Sequence, residues 1–249
     1  MKLVKKYIIS GQIEAVTGIA IGGTNAAMSI GGVDKGVIRN PVTNEPYIPG
    51  SSLKGKMRSL LELRDGTIGD ERMGIVSNGP SNNQQHRSSR LFGNAAKRQD
   101  DKQRPSRAVV RDAFLSDNQV TEQGTVSKND YFKTTDLPFT EVKTEVVIDR
   151  ITSRAMPRQL ERVPAGARFN FEIVLNVFDE DSQDELLNDL FAAMQLLQND
   201  YIGGAGSRGS GQIRFLRDTL SVNVRSQKYY LFEEEEKVVT QEFKDRFPK

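Results

Sequence analysis

The stretch Tyr201-Ile-Gly-Gly-Ala-Gly-Ser-Arg-Gly-Ser-Gly211 sets five glycines and an arginine between an amphipathic run and an alternating one, a composition suited to holding phosphate. Glycine reaches backbone conformations closed to other residues and lets a ligand approach main-chain N–H groups closely. A helix C-cap, with Gly203 in that role, and a hairpin turn would use one or two of these glycines. Five of them around Arg208 point further, to a phosphate or nucleic-acid contact through Gly203, Gly204, Gly206, Ser207, Arg208 and Gly209.

Two other stretches carry cations at usable spacing. Ser51 and Ser52 precede Leu53, Met57, Leu60 and Leu61, which recur on one helical face, so either serine is the natural N-cap. A helix N-terminus presents unpaired N–H groups and the positive end of its dipole, and both attract phosphate. Lys54 and Arg58 flank the apolar stripe on one side and Lys56 lies on the other, so together they can straddle a sugar–phosphate backbone. Farther on, Arg150, Arg154, Arg158 and Arg162 recur every four residues. Pro157 prevents an undistorted helix through all four, which predicts a broken helix or loop after a strand over 142–148. Such arginines clamp phosphates while Met156-Pro157 offers an apolar wedge against a splayed base.

Several chemistries are excluded by what is missing. The 249 residues contain no cysteine, so disulfides, thiol nucleophiles and cysteine-bound metals are out. The single histidine, His86, rules out a paired-histidine acid–base site and sits in a polar Gln-Gln-His-Arg-Ser stretch. No apolar run is long enough to cross a bilayer and the first residues lack a signal-peptide core, so a cytoplasmic protein with no membrane partner is expected. The net charge of +2 hides segregation: residues 84–111 hold eight Lys/Arg against two Asp, and residues 150–168 hold five Arg against Glu161. Acidic groups gather at 179–189 and at Glu233–Glu236. Together the basic segments read as a footprint for a polyanion.

The elements that must position these groups follow from periodicity. A first strand is expected within Lys2–Val16, a helix after Pro49, and a strand from Ala108 to Phe114. Phe169, Phe171, Ile173, Leu175 and Val177 alternate as a half-buried strand. Ser182-Gln-Asp-Glu185 is a capping box opening a helix with Leu186, Leu187, Leu190, Phe191, Met194 and Leu197 on its core face. A last strand passes through Ile213 and Phe215, with Leu220–Val224 beyond. The order βαββαβ is the α+β, ferredoxin-like (RRM-like) plan, whose open sheet face is a familiar RNA platform. Residues 66–106 and 116–166 are too long for ordinary connections and read as functional insertions or partly disordered segments on a single domain. Residues 225–249 form an extension with no assigned role.

With these residues in view, the chain resembles the RAMP superfamily of CRISPR proteins. The resemblance covers roughly residues 7–224. It rests on Thr17-Gly-Ile-Ala-Ile-Gly-Gly23, on the run from Ile38 to Arg58 containing Ile48-Pro-Gly-Ser-Ser-Leu-Lys-Gly-Lys56, on Arg90-Leu-Phe-Gly93, on Ile148-Asp-Arg-Ile-Thr152 and on Gly203–Gly211. Within that superfamily it is most similar to the repeated backbone subunit of the type III-A Csm effector complex. The resemblance implies copies that polymerise as a helical filament along a guide CRISPR RNA, alongside other subunits of the complex. A ferredoxin-like palm would hold the guide, and a thumb hairpin, here 142–163, would interrupt its duplex with complementary target RNA at regular intervals. It further implies metal-dependent cleavage of the target, with Mg2+ or another divalent cation, at an aspartate in a loop beside the palm.

The matching position is Asp34, in Ile30-Gly-Gly-Val-Asp-Lys-Gly36, as both catalytic group and metal ligand. By itself an aspartate among glycines reads as a turn residue. Its role therefore comes from the resemblance alone. Ala20 departs from the pattern, because relatives often carry there a histidine that contacts the guide. Two other readings stay open: an RNA-binding scaffold without catalysis, and a RAMP endonuclease that processes guide precursors, which implies a histidine-centred site.

Overall fold

The computed structural model describes residues 1–22, 36–68, 71–72, 75–76, 79–83, 85–94 and 105–248. The chain opens on β1 (Leu3–Ala15), whose Tyr7, Ile9, Ile13 and Ala15 are buried while alternate residues are half-exposed. After β2 (Tyr47–Ile48), α1 (Gly50–Arg64) buries Leu53, Met57, Leu60 and Leu61, the stripe its spacing predicts. The short pair β3 (Glu71–Arg72) and β4 (Ile75–Val76) and helix α2 (Arg87–Phe92) follow. The expected strand over 108–114 is two pieces, β5 (Ala108–Val110) and β6 (Ala113–Leu115), broken at Arg111-Asp112.

The region 116–166 is built of its own elements. β7 (Asn118–Thr121) and β8 (Gly124–Ser127) form one hairpin, α3 (Lys128–Tyr131) follows, and β9 (Glu141–Ile148) pairs antiparallel with β10 (Ala155–Arg162) in a second. The expected broken helix or loop over the arginine repeat is therefore a strand. Pro157 is accommodated because this two-stranded ribbon leaves one edge of β10 unpaired, so the missing N–H costs no ladder bond there.

The palm is an antiparallel sheet of seven strands among the described residues. With β11 (Arg168–Phe178), β12 (Ile213–Ser226) and β13 (Lys237–Val238), its order is β13-β12-β1-β11-β6-β2, with β5 beside β6 on the same edge of β11. β11 and β12 flank β1, and α4 (Gln183–Gln198) packs with α1 over the buried face. The two apolar runs expected at 213–215 and 220–224 are one strand with a bulge: Gln12 lies opposite Leu216, yet Ser10 lies opposite Ser221. The bulge is pinned by the Gln12 N–H, which donates to Thr219 Oγ1 at 2.8 Å.

The segment beyond 225 adds two aromatic rings to the core. α5 (Gln227–Tyr230) and β13 (Lys237–Val238) lead to α6 (Thr240–Phe243), and Phe243 and Phe247 are buried against Tyr7, Phe171, Phe191 and Phe215. No helix among the described residues is long and apolar enough to cross a membrane.

Candidate nucleic-acid interface

Three parts of the predicted site meet along Thr17–Gly22. The Ala20 carbonyl accepts from the Gly204 N–H at 2.7 Å and the Gly18 carbonyl from Gly211 at 2.9 Å, which ties down the glycine loop. Ile19 bridges to Val163 at the foot of the β9–β10 hairpin, with N···O distances of 2.8 and 2.9 Å. Gly22 bridges to Val37 and the Ile38 N–H donates to the Ile21 carbonyl at 2.9 Å, which brings together the residues flanking 23–35. Asp34 and Lys35 lie in that segment, outside the described residues.

A buried carboxylate fastens the exit of this segment to the hairpin. Glu161 of β10 accepts the Val37 N–H at 2.9 Å, Arg39 at 2.5 Å and the Thr140 hydroxyl at 2.7 Å, and its side chain is only 8% exposed. Burial alone would raise the Glu161 pKa. The hydrogen bonds from Thr140, Arg39 and the Val37 N–H, with the Arg39 charge, outweigh it and hold the carboxyl below the usual range. A carboxyl with a depressed folded pKa contributes stability above its unfolded pKa and loses it as pH falls through the folded one. Glu161→Gln should thus cost about 3 kcal/mol at pH 7, the scale of breaking a buried pair. The gap from wild type should shrink as pH drops below about 4, near and under the carboxyl reference value. Thermal unfolding of both proteins across pH 3–7 checks this, and a gap independent of pH would refute it.

The glycine loop uses much of its glycine for internal packing. Gly203 has φ +81°, and a Cβ there would stand 2.4 Å from the Ala20 carbonyl oxygen. At Gly206 a Cβ would lie 2.0 Å from the Tyr201 ring. Gly203 is not the helix C-cap: α4 ends at Asn199, whose N–H donates to the carbonyls of Gln195 and Leu197. Within the loop, the N–H groups of Gly204, Arg208, Gly209, Ser210 and Gly211 are all bonded to protein carbonyls. What faces outward is the short 3-10 turn Gly206–Arg208, the exposed Ser207 and Gly209, and an Arg208 guanidinium that is 63% exposed.

The helix cations are divided between neighbours rather than aligned on one strip. Lys56 stands 3.3 Å from Asp200 and 3.9 Å from the centre of the Tyr201 ring, so it joins α1 to the glycine loop. Lys54 donates to Ser106 at 2.9 Å; burial first, and the Arg58 charge second, lower its pKa. Arg58 departs from its expected role. Its guanidinium is spent on Glu62 and on the carbonyls of Gly93 and Ser81, bracing the segment around α2. The N-cap also differs: α1 starts at Gly50, whose N–H donates at 2.7 Å to Asp112 from the β5–β6 break. Pro49 takes the cap position, and Ser51 and Ser52 sit inside the first turn.

Among the described residues, each cation of the basic footprint expected at 84–111 has an acidic partner. Arg87 and Arg90 pair with Asp189, Arg90 also with Glu185, buried Arg107 with Asp181 and Glu180, and Arg111 with Glu172. Opposite charges separated along the chain fold onto one another. Lys97, Arg98, Lys102 and Arg104 lie outside the described residues. In the second basic segment Arg162 pairs with Glu141 and Arg168 with Glu14. Arg150, Arg154 and Arg158 are exposed and have no acidic partner among the described residues. They share the hairpin with exposed Val146, Val147, Ile148, Ile151 and Met156, and Ile151 at the turn is 95% exposed. His86 is held by Ser81 at 2.7 Å and Asn83 at 3.2 Å and caps α2, a structural use. The described residues contain no group of three or more His, Asp or Glu placed to hold a metal.

A palm sheet, a glycine loop and a projecting basic hairpin anchored beside them define a RAMP-type arrangement, and residues 12–214 match the RAMP superfamily. The chain belongs to that superfamily. It is 39% identical over 242 residues to the "CRISPR system Cms endoribonuclease Csm3" of Methanothermobacter thermautotrophicus, covering 92% of this chain and 91% of the relative. The protein of the same name from Enterococcus italicus is 39% identical over 219 residues, 88% of this chain and 94% of the relative. Among solved structures, the Csm3–Csm4 subcomplex of the type III-A CRISPR-Cas interference complex aligns with a TM-score of 0.58 at 27% identity, over 98% of this chain and 96% of that one.

Proposed function

We propose that this chain is an RNA-guided endoribonuclease subunit, a repeated backbone protein of a type III CRISPR complex that holds guide RNA and cuts complementary target RNA at regular intervals. The observation that carries the reading is the convergence on Thr17–Gly22 of the glycine loop, the basic hairpin and the residues flanking the Asp34 segment. The names of its relatives, endoribonucleases and members of a type III-A complex, agree with it. The antiparallel order β12-β1-β11-β5 with α1 and α4 on one face supports a ferredoxin-like palm. Copies of the chain in a filament and neighbouring Csm subunits are its partners.

Guide and target phosphates are held by Arg208 with the turn Gly206–Ser207, by Lys56 and Lys54, and by Arg150, Arg154 and Arg158 on the hairpin. Asp34 is the catalytic carboxylate and the ligand of a divalent ion such as Mg2+. Among the described residues Glu161 adds no ligand, since both its oxygens are taken by protein donors, and a single carboxylate at Asp34 is compatible with magnesium. Magnesium typically keeps several waters and takes one or two carboxylates. When bound, the ion supplies charge neutralisation at the scissile phosphate. The chain's own part is to hold the RNA backbone on either side and to fix the residues flanking the Asp34 segment.

Salt dependence of RNA binding tests the reading. Every cation removed from a phosphate should lower the slope of log affinity against log salt by about 0.7 for a single strand. Replacing Arg150, Arg154 and Arg158 together by alanine should therefore lower it by about 2, irrespective of RNA sequence. Titrations at several salt concentrations that leave slope and affinity unchanged would return the hairpin to a solvated surface.

A further inference from the structure

Glu145 is a carboxylate placed among cations on the face of the hairpin that meets the glycine loop. Its Oε1 lies 3.1 Å from Lys143 Nζ, and its Oε2 lies 3.3 Å from an Arg208 guanidinium nitrogen across the gap between β9 and the loop. Arg158 stands directly opposite Glu145 in the β9–β10 register, on the same face of the ribbon. Hydrogen bonding to Lys143 first, and the nearby charges of Arg208, Lys143 and Arg162 against a small effect of burial, depress its pKa, so the group is anionic at neutral pH. Arg208 is nonetheless 63% exposed and Lys143 30% exposed, so both cations are open to a second anion.

A carboxylate bridging two cations from different elements has the single charge and the two terminal oxygens of an RNA phosphodiester at the same place. Arginine binds either anion through the same forked donors. We infer that Glu145 occupies a phosphate subsite formed by Lys143 and Arg208, holding the hairpin against the glycine loop until an RNA phosphate displaces it. The inference rests on the proposed RNA-binding role and adds a named competitor to it. Binding of RNA then exchanges an internal anion for an external one. The hairpin is released from the loop at the moment the backbone is engaged, which couples guide loading to hairpin position. Lys143 becomes an RNA contact that its sequence neighbourhood does not reveal.

The test is Glu145→Gln, which keeps the shape and removes the charge. Single-stranded RNA affinity should rise about two- to fivefold at low salt, matching the energy of an exposed ion pair, and the gain should fade at high salt. In a Lys143→Gln/Arg208→Gln background the same substitution should change nothing, since its competitor's partners are gone. A donor–acceptor dye pair at Ile151 and Ser207 should report a longer distance when RNA is added to otherwise wild-type chain, and a longer distance without RNA in the Glu145→Gln chain. If the variant binds RNA equally or more weakly, or if the dye distance ignores RNA, Glu145 is no stand-in for phosphate. Failure of the unsubstituted chain to bind RNA at all would instead overturn the proposed function itself. Thermal unfolding of each variant separates these outcomes from loss of fold.

Discussion

Asp34→Ala in the assembled complex is expected to lower target-RNA cleavage by about a thousandfold, the scale for removing one essential stabilising group from a transition state, while RNA affinity changes less than twofold. The separation follows from where the contacts lie. On the proposed reading phosphate is held by the hairpin arginines, Lys56 and the glycine loop, all of them outside the segment 23–35. Two described carboxylates are already committed and offer the chemistry no substitute: Glu161 has its oxygens filled by Val37, Arg39 and Thr140, and Asp112 accepts the first N–H of α1. Asp34→Asn, which keeps the shape but weakens metal binding, should show the same loss. Single-turnover cleavage beside filter binding measures both halves, and Mn2+ binding followed by electron paramagnetic resonance gives a readout independent of turnover. A variant that cuts at the wild-type rate, or binds Mn2+ as the parent does, would move the catalytic group elsewhere.

Shortening the hairpin is the second change expected to have a large effect. Val146 pairs with Pro157 and Glu145 with Arg158, so residues 146–157 can be replaced by Asn-Gly, joining Glu145 to Arg158 through a two-residue turn that preserves the register below. The deletion removes the exposed apolar tip, including Ile151 and Met156, with Arg150 and Arg154. It leaves Glu161 and its bonds to the palm intact. At saturating target the truncated complex should lose its regularly spaced cuts, with the rate falling about a hundredfold or more, because the tip no longer splays the duplex. A phosphate kept in helical geometry has its 2′-hydroxyl poorly aligned for attack, so orientation is what suffers. Evenly spaced products at normal rate would show that the tip is not the wedge. The β7–β8 hairpin would then be the next segment to truncate.

The legible parts of this fold were those where one local pattern decided the outcome. Alternation at Phe169–Val177 and the stripe of α1 both survive in the structure because each element has a single buried face. Where two elements cooperate, the sequence was ambiguous. Pro157 argues against a helix, yet only the pairing with β9 shows that the arginine repeat lies on a strand. Serines at 51 and 52 suggest a cap, but Asp112, some sixty residues later, accepts the first N–H of the helix from across the β5–β6 break. Gly203 and Gly206 are demanded by Ala20 and Tyr201 and not by a ligand alone, a distinction that residue type does not carry. The charge blocks were real as sequence and mostly cancelled in space, since Arg87, Arg90 and Arg107 meet the acids of 180–189. Arg150, Arg154 and Arg158 escape that cancellation because the ribbon's acids are engaged elsewhere, Glu141 by Arg162, Glu145 by Lys143 and Arg208, and Glu161 by Arg39.

The burial of Phe243 and Phe247 beside Tyr7 and Phe171 bears on how the protein is made. The aromatic rings that cover the end of β1 are synthesised more than two hundred residues after it. At about 5–20 residues per second that interval is on the order of ten to fifty seconds. During it the apolar face around Tyr7 has no lid. A nascent chain interrupted before residue 243 would carry a sheet with an open aromatic seam, the kind of surface that chaperones and proteases recognise.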